Sequence, residues 1–202
     1  MNELLRLLKR DWPYFLILAA IFAVSVLLGT RLPEIAPDVA RELEKQTMAH
    51  FAEIAKLMRG AELPSQIVII WMNNMIASLT AIITGALLIP LLPLVLLMGN
   101  GLIIGLVQRL TETQGLSIAR FYLALLPHGI LELPAFFIAV YLGARFSLIP
   151  YRLIWHYAKY KQYRPFLKEY FHDMRYYAVL FVVMLLVAAV IEMTVSPMLV
   201  SR

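Results

Sequence analysis

The chain has 202 residues, 61% of them hydrophobic, with mean hydropathy +0.77 and a formal charge of +5. Soluble domains are nearer 45–50% apolar, so the composition excludes an ordinary soluble domain and points to a polytopic membrane protein. There is no cysteine, which excludes disulfides and thiolate metal sites.

The first element is an uncleaved span over about residues 12–29. Met1 to Arg10 is basic like the start of a signal peptide, but the apolar run that follows is long and lacks a small-x-small cleavage site. Residues 31–66 then form a water-facing segment in which an amphipathic helix is expected from Pro37 to Gly60. Val39, Leu43, Phe51, Ile54 and Met58 fall on one face of it. At 1.5 Å per residue this helix is roughly 34 Å long. It lies on the membrane surface or caps the bundle, or it docks an external partner.

The second and third spans, about 67–89 and 91–107, are separated by Pro90 and followed by Pro93, which predicts a tight helical hairpin. The third is short, and a re-entrant segment leaving four full spans is the alternative. In the second span Asn73, Ala77, Thr80 and Thr84 make one stripe, with Asn74, Ser78, Ala81 and Gly85 beside it. This broad small-and-polar face is expected to avoid lipid. The third span carries Asn100 and a Gly101-x-x-x-Gly105 contact face, which suits close helix packing within the chain or a homodimer.

The fourth span, about 121–143, holds Pro127-His128-Gly129-Ile130-Leu131-Glu132-Leu133-Pro134. A charged group at mid-bilayer costs from ~3 to more than 10 kcal/mol, so His128 and Glu132 must face a protein interior or wet cavity, or do a job. His128, Glu132, Ala135, Ala139 and Gly143 share one helical face, a polar pair followed by small residues. Pro134 removes the hydrogen bond to the Ile130 carbonyl and is expected to kink the helix. Spans two, three and four are therefore expected to converge on a polar core of Asn73, Asn74, Asn100, His128 and Glu132. Gly85, Gly101, Gly105, Ala135, Ala139 and Gly143 would provide helix packing.

Residues 145–175 carry seven basic residues against Glu169 and Asp173, interleaved with aromatics such as Tyr151, Trp155, Tyr163 and Phe166. Beside a membrane this reads as an interfacial segment and not a nucleic-acid site. Arg152, Lys159, Lys161, Arg164 and Lys168 would meet lipid headgroups. A break near Lys161 and Arg164-Pro165 would divide it into two shorter helices. The fifth span covers about 176–195, with Glu192 near its end and assigned to the interface. Basic residues at the N-terminus and in residues 145–175 fall on one side only if five spans cross. This puts the N-terminus in the cytoplasm and the C-terminus outside. The expected fold is a single all-α membrane domain, a five-helix bundle with an outer amphipathic helix and an inner interfacial segment.

Asn73-Asn74, Gly85, Asn100-Gly101, Gly105 and Pro127-His128-Gly129-x-x-Glu132-x-Pro134-Ala135, ending at Gly143, resemble the stage II sporulation protein M family of bacterial and archaeal membrane proteins. The resemblance covers about Ile67 to Arg145 closely, and the rest by span count. It implies a cell-membrane protein. The founding member acts in endospore formation, where it resembles an anchor for peptidoglycan-degrading partners, so cell-wall hydrolases are the implied partners.

No complete catalytic set is visible. The pattern H-E-x-x-H is absent, and His50, His156 and His172 fall in water-facing segments. The sequence therefore predicts no enzyme, no cofactor and no metal. A scaffold or assembly factor of the cell envelope is the first reading. A transporter or channel for protons, ions or a small polar solute through the His128–Glu132 core is the alternative.

Overall fold

The computed structural model describes residues 3–87, 89–115, 117–161 and 164–195, with backbone only at 86, 124, 164–166 and 169. Among these residues seven α-helices follow one another: α1 Glu3–Ile35, α2 Pro37–Met58, α3 Leu63–Thr84, α4 Leu92–Thr113, α5 Ile118–Ser147, α6 Ile149–Tyr160 and α7 Arg164–Thr194. A 3-10 turn, Gly85–Leu87, ends α3. Among the described residues there is no strand, and five helices are long and apolar enough to cross a membrane.

Proline marks the starts. It occupies the first turn of α2, α3, α4 and α6, where its missing N–H has no intrahelical partner to lose. Gly60 and Gly115 turn the chain after α2 and α4 at φ +77° and +76°, a conformation costly for residues with a Cβ. Lys161 ends α6 at φ +55°, which confirms a break there. Tyr163 lies outside the described residues.

Alternation of the five long helices puts α2 at one end of the bundle and α6 at the other. α4 runs to Thr113, well past the expected boundary at 107. Gln108 and Arg109 do not end it because they are partnered. Tyr122 Oη donates to Gln108 at 2.7 Å, and Arg109 pairs with Glu34 of α1 at 3.3 Å. At 22 residues α4 is roughly 33 Å long, enough to cross without a re-entrant turn.

Two glycine seams set the packing. Leu7, Leu18, Phe22, Ser25 and Gly29 form the buried face of α1. A Cβ on Gly105 would collide with the Val26 carbonyl of α1, and one on Gly29 with the Leu102 carbonyl of α4. Gly101 meets Ser25 and Phe22 in the same seam. The Gly101-x-x-x-Gly105 face is thus occupied by α1 of the same chain, so it is not the surface a homodimer would use. In the second seam Gly85 and Ala81 press on Gly143 of α5, and Pro93 closes on it from α4.

The second seam makes α5 the central post. Every residue from Ala135 to Gly143 is buried, and α1, α3, α4 and α7 all pack against α5. Ala135 and Ala139 are fully buried, as their place on the small-residue stripe requires. Pro127 and Pro134 both lie inside α5, which continues through them as one helix. Leu16, Ile17, Leu27, Ile83, Val95 and Val179 stay exposed around the outside, where lipid would cover them.

The two stripes of α3 separate. Asn74, Ser78, Ala81 and Gly85 turn inward, with Ser78 1% exposed. Ala77 and Thr80 face outward, against expectation. Thr80 tolerates this because its hydroxyl donates to the Ile76 carbonyl one turn back, at 2.8 Å.

Candidate functional site

Among the described residues, two groups of charged side chains lie within the bundle. The first is at the α6 end, where α1, α5 and α7 meet. Arg10 grips Asp11 with two donors, Nε to Oδ1 at 2.7 Å and Nη2 to Oδ2 at 2.8 Å. Its Nη2 also reaches Asp173 Oδ2 of α7 at 2.8 Å. Arg145 of α5 donates to that same oxygen at 3.2 and 3.3 Å. Tyr177 Oη donates to Asp11 at 2.8 Å. Arg145 also stacks near the rings of Tyr141 and Tyr170, at 5.5 and 5.2 Å from their centroids. Asp11 and Asp173 are each only 2% exposed. Buried carboxylates persist when charge-assisted bonds satisfy their oxygens, and both aspartates meet that condition. This is a closed network that ties three helices together.

The second group lies toward the α2 end, on α5 and α7. His128 Nε2 and Glu132 Oε2 are 4.0 Å apart, one helical turn from each other. Glu192 of α7 completes the group, with one donor atom from each residue lying within 4.8 Å of the others. His128 is buried, and both glutamates are half-buried. Glu192 is therefore not merely an interfacial residue of the last span. Its α7 turn faces α5, and its carboxylate lies beside that of Glu132.

The three asparagines of the expected core bond elsewhere. Asn73 contacts His50 of α2 at 3.0 Å and donates to Asn74 Oδ1 at 3.2 Å, so the pair fastens α2 to α3. Asn100 is exposed, and its amide donates to the Leu96 carbonyl of its own helix at 3.0 Å. It leaves the expected polar core because α4 turns Gly101 and Gly105, not Asn100, toward its neighbour α1. The observed constellation is thus His128, Glu132 and Glu192, with Asn73–Asn74 a separate clasp.

On α2 the expected apolar face divides. Leu43, Ile54 and Met58 are half-buried toward the bundle, and the closest approach is at Ala40 and Thr47, which are 4% and 7% exposed. Val39 and Phe51 are exposed with Met48 and Leu57. The small side chains of Ala40 and Thr47 let α2 sit close, and its larger apolar residues turn away. At the other end Arg152, Lys159, Lys161 and Lys168 are exposed, as headgroup contacts must be. Lys159 and Lys161 lie over the Trp155 and Tyr157 rings at 4.9 and 5.4 Å. The side chain of Arg164 is outside the described residues.

No curated protein and no solved structure matches the chain. The family model for stage II sporulation protein M matches residues 15–197, from the start of the first span to the end of the last. The chain is a membrane-embedded, all-α member of the stage II sporulation protein M family.

Proposed function

We propose that this chain is a non-enzymatic scaffold of the cell envelope, with its N-terminus in the cytoplasm and α2 outside. It would hold partners at the membrane, with cell-wall hydrolases the partner class that the family resemblance implies. The carrying observation is the solid centre of the bundle. Nine consecutive residues of α5, Ala135 to Gly143, are buried on every side. Burial along that length supports a packed platform over an open channel. The exposed Met48 and Phe51 of α2 provide an apolar face at one end of that platform.

The test is site-specific photocrosslinking from Phe51 in intact cells. The expected product is an adduct containing a cell-wall hydrolase, identified by mass spectrometry and lost when Met48→Asp is added. Adducts with lipid alone would overturn the scaffold reading. A second reading, ion or proton transport by alternating access, is favoured by the His128–Glu132–Glu192 group. Proton and cation flux in proteoliposomes that disappears in Glu132→Gln and His128→Ala would establish it.

A further inference from the structure

We infer that His128, Glu132 and Glu192 form a binding site for a first-row divalent cation, with Zn²⁺ and Mn²⁺ the best-matched ions. The site lies beyond the scaffold reading and does not depend on it.

The geometry is close to what one ion requires. One donor from each of the three side chains lies within 4.8 Å of the others. Donors held about 2.1 Å from a common Zn²⁺ lie roughly 3.4 Å from one another in a tetrahedral shell. The contraction needed is at most about 1.4 Å, within reach of glutamate rotamer changes on fixed helices. His128 and Glu132 project from the same face one turn apart, and Glu192 approaches from α7. The three ligands thus come from two spans, and an ion between them would cross-link those spans.

The charge balance points the same way. Two carboxylates and a neutral imidazole carry −2 when ionised, in a region bordered by apolar spans. Among the described residues, neither glutamate pairs with a lysine or arginine. The Asp11 and Asp173 carboxylates at the α6 end have the guanidinium groups of Arg10 and Arg145. A divalent cation would bring the α2-end group to neutrality. One imidazole with carboxylates suits Zn²⁺ and Mn²⁺, whereas all-oxygen sets suit Mg²⁺ and Ca²⁺.

A fourth position would remain open, because three protein ligands do not complete a tetrahedral shell. An orphaned donor lies at about that depth. The Trp71 Nε1 hydrogen is buried and has no acceptor among the described residues. Ala81 and Gly85 of α3 pack on Gly143 of α5. Counting eleven residues back along both helices, which run in the same direction, brings Trp71 to about the level of Glu132. A water or anion on the ion would be an acceptor of the kind Trp71 lacks.

The test uses the full chain in lipid nanodiscs, stripped with chelator and titrated calorimetrically with Zn²⁺ and Mn²⁺. Metal content after desalting is the second readout. The expected result is one ion per chain, little competition from millimolar Mg²⁺ or Ca²⁺, and affinity weakened at least tenfold in each of Glu132→Gln, Glu192→Gln and His128→Ala. His156→Ala and His172→Ala should bind as the wild type does. Absence of stoichiometric binding of either ion would overturn the site. So would wild-type affinity in the Glu132→Gln/Glu192→Gln double variant. The glutamine substitutions preserve shape, so they decide the matter if His128→Ala fails to fold. The Phe51 crosslink is read separately, so loss of the metal site leaves the scaffold reading standing.

Discussion

At the α6 end of the bundle, two buried aspartates are matched by two arginines and a tyrosine hydroxyl. At the α2 end, two half-buried glutamates face one histidine. Both groups join α5 to α7, and both lie where lipid would penalise an unmatched charge. The first has opposite charges and donors in place, which is how a bundle holds charge for structure. The second concentrates like charge beside a single titratable ring and keeps partial exposure, which is how a bundle keeps a group available to a ligand. Electrostatic completeness, more than burial, separates the group that holds the fold from the group available to act.

The sharpest way to break this comparison is Asp173→Ala. It leaves Arg10 and Arg145 without their shared acceptor, and removing one partner from a buried charged set costs about 3–5 kcal/mol. Thermal unfolding in detergent should show a large drop, and an unchanged transition would mean the network is ornamental. Next is Gly105→Leu, which drives a side chain into the Val26 carbonyl and should cost at least about 1–3 kcal/mol. Loss of α1–α4 contact, followed by cysteine cross-linking between the two helices, checks it. Tyr177→Phe removes one hydrogen bond to Asp11 and should cost about 1–2 kcal/mol, measurable by the same unfolding assay. The smallest effect belongs to the other group. In metal-free protein, Glu132→Gln should change stability by less than about 0.5 kcal/mol, or raise it, since it removes like-charge repulsion from Glu192. A drop like that of Asp173→Ala would show Glu132 to be part of the framework.

Much of the architecture was legible because lipid imposes a simple rule on composition. Five apolar stretches, their proline-marked hairpin and the break at Lys161 all follow from length, hydropathy and local backbone chemistry. The glycines and alanines of the seams were equally legible, since small residues at spacing four signal close packing. Their partners were not. Nothing in Gly101-x-x-x-Gly105 says whether α1 or a second chain fills it. The His128–Glu132 pair was visible because both residues sit on one helix. Glu192 is not legible as its partner, because it comes from another span sixty residues away and sits near a helix end, where a carboxylate fits the interface. Asp11 escaped notice for a related reason. An aspartate at the head of an apolar run resembles a span boundary until its partners on α5 and α7 are known. For Asn100 the sequence misleads, because a polar residue in a span suggests a buried partner, yet its amide is satisfied by the Leu96 carbonyl of its own helix.

The most direct test is a side-by-side thermal unfolding measurement on wild type and two double variants, all stripped of metal with chelator, in the same lipid nanodiscs. One is Asp11→Asn/Asp173→Asn at the α6 end, and the other is Glu132→Gln/Glu192→Gln at the α2 end. The account predicts a clear loss of stability for the aspartate pair and wild-type or higher stability for the glutamate pair. Collapse of the glutamate variant, with the aspartate variant unaffected, would contradict it.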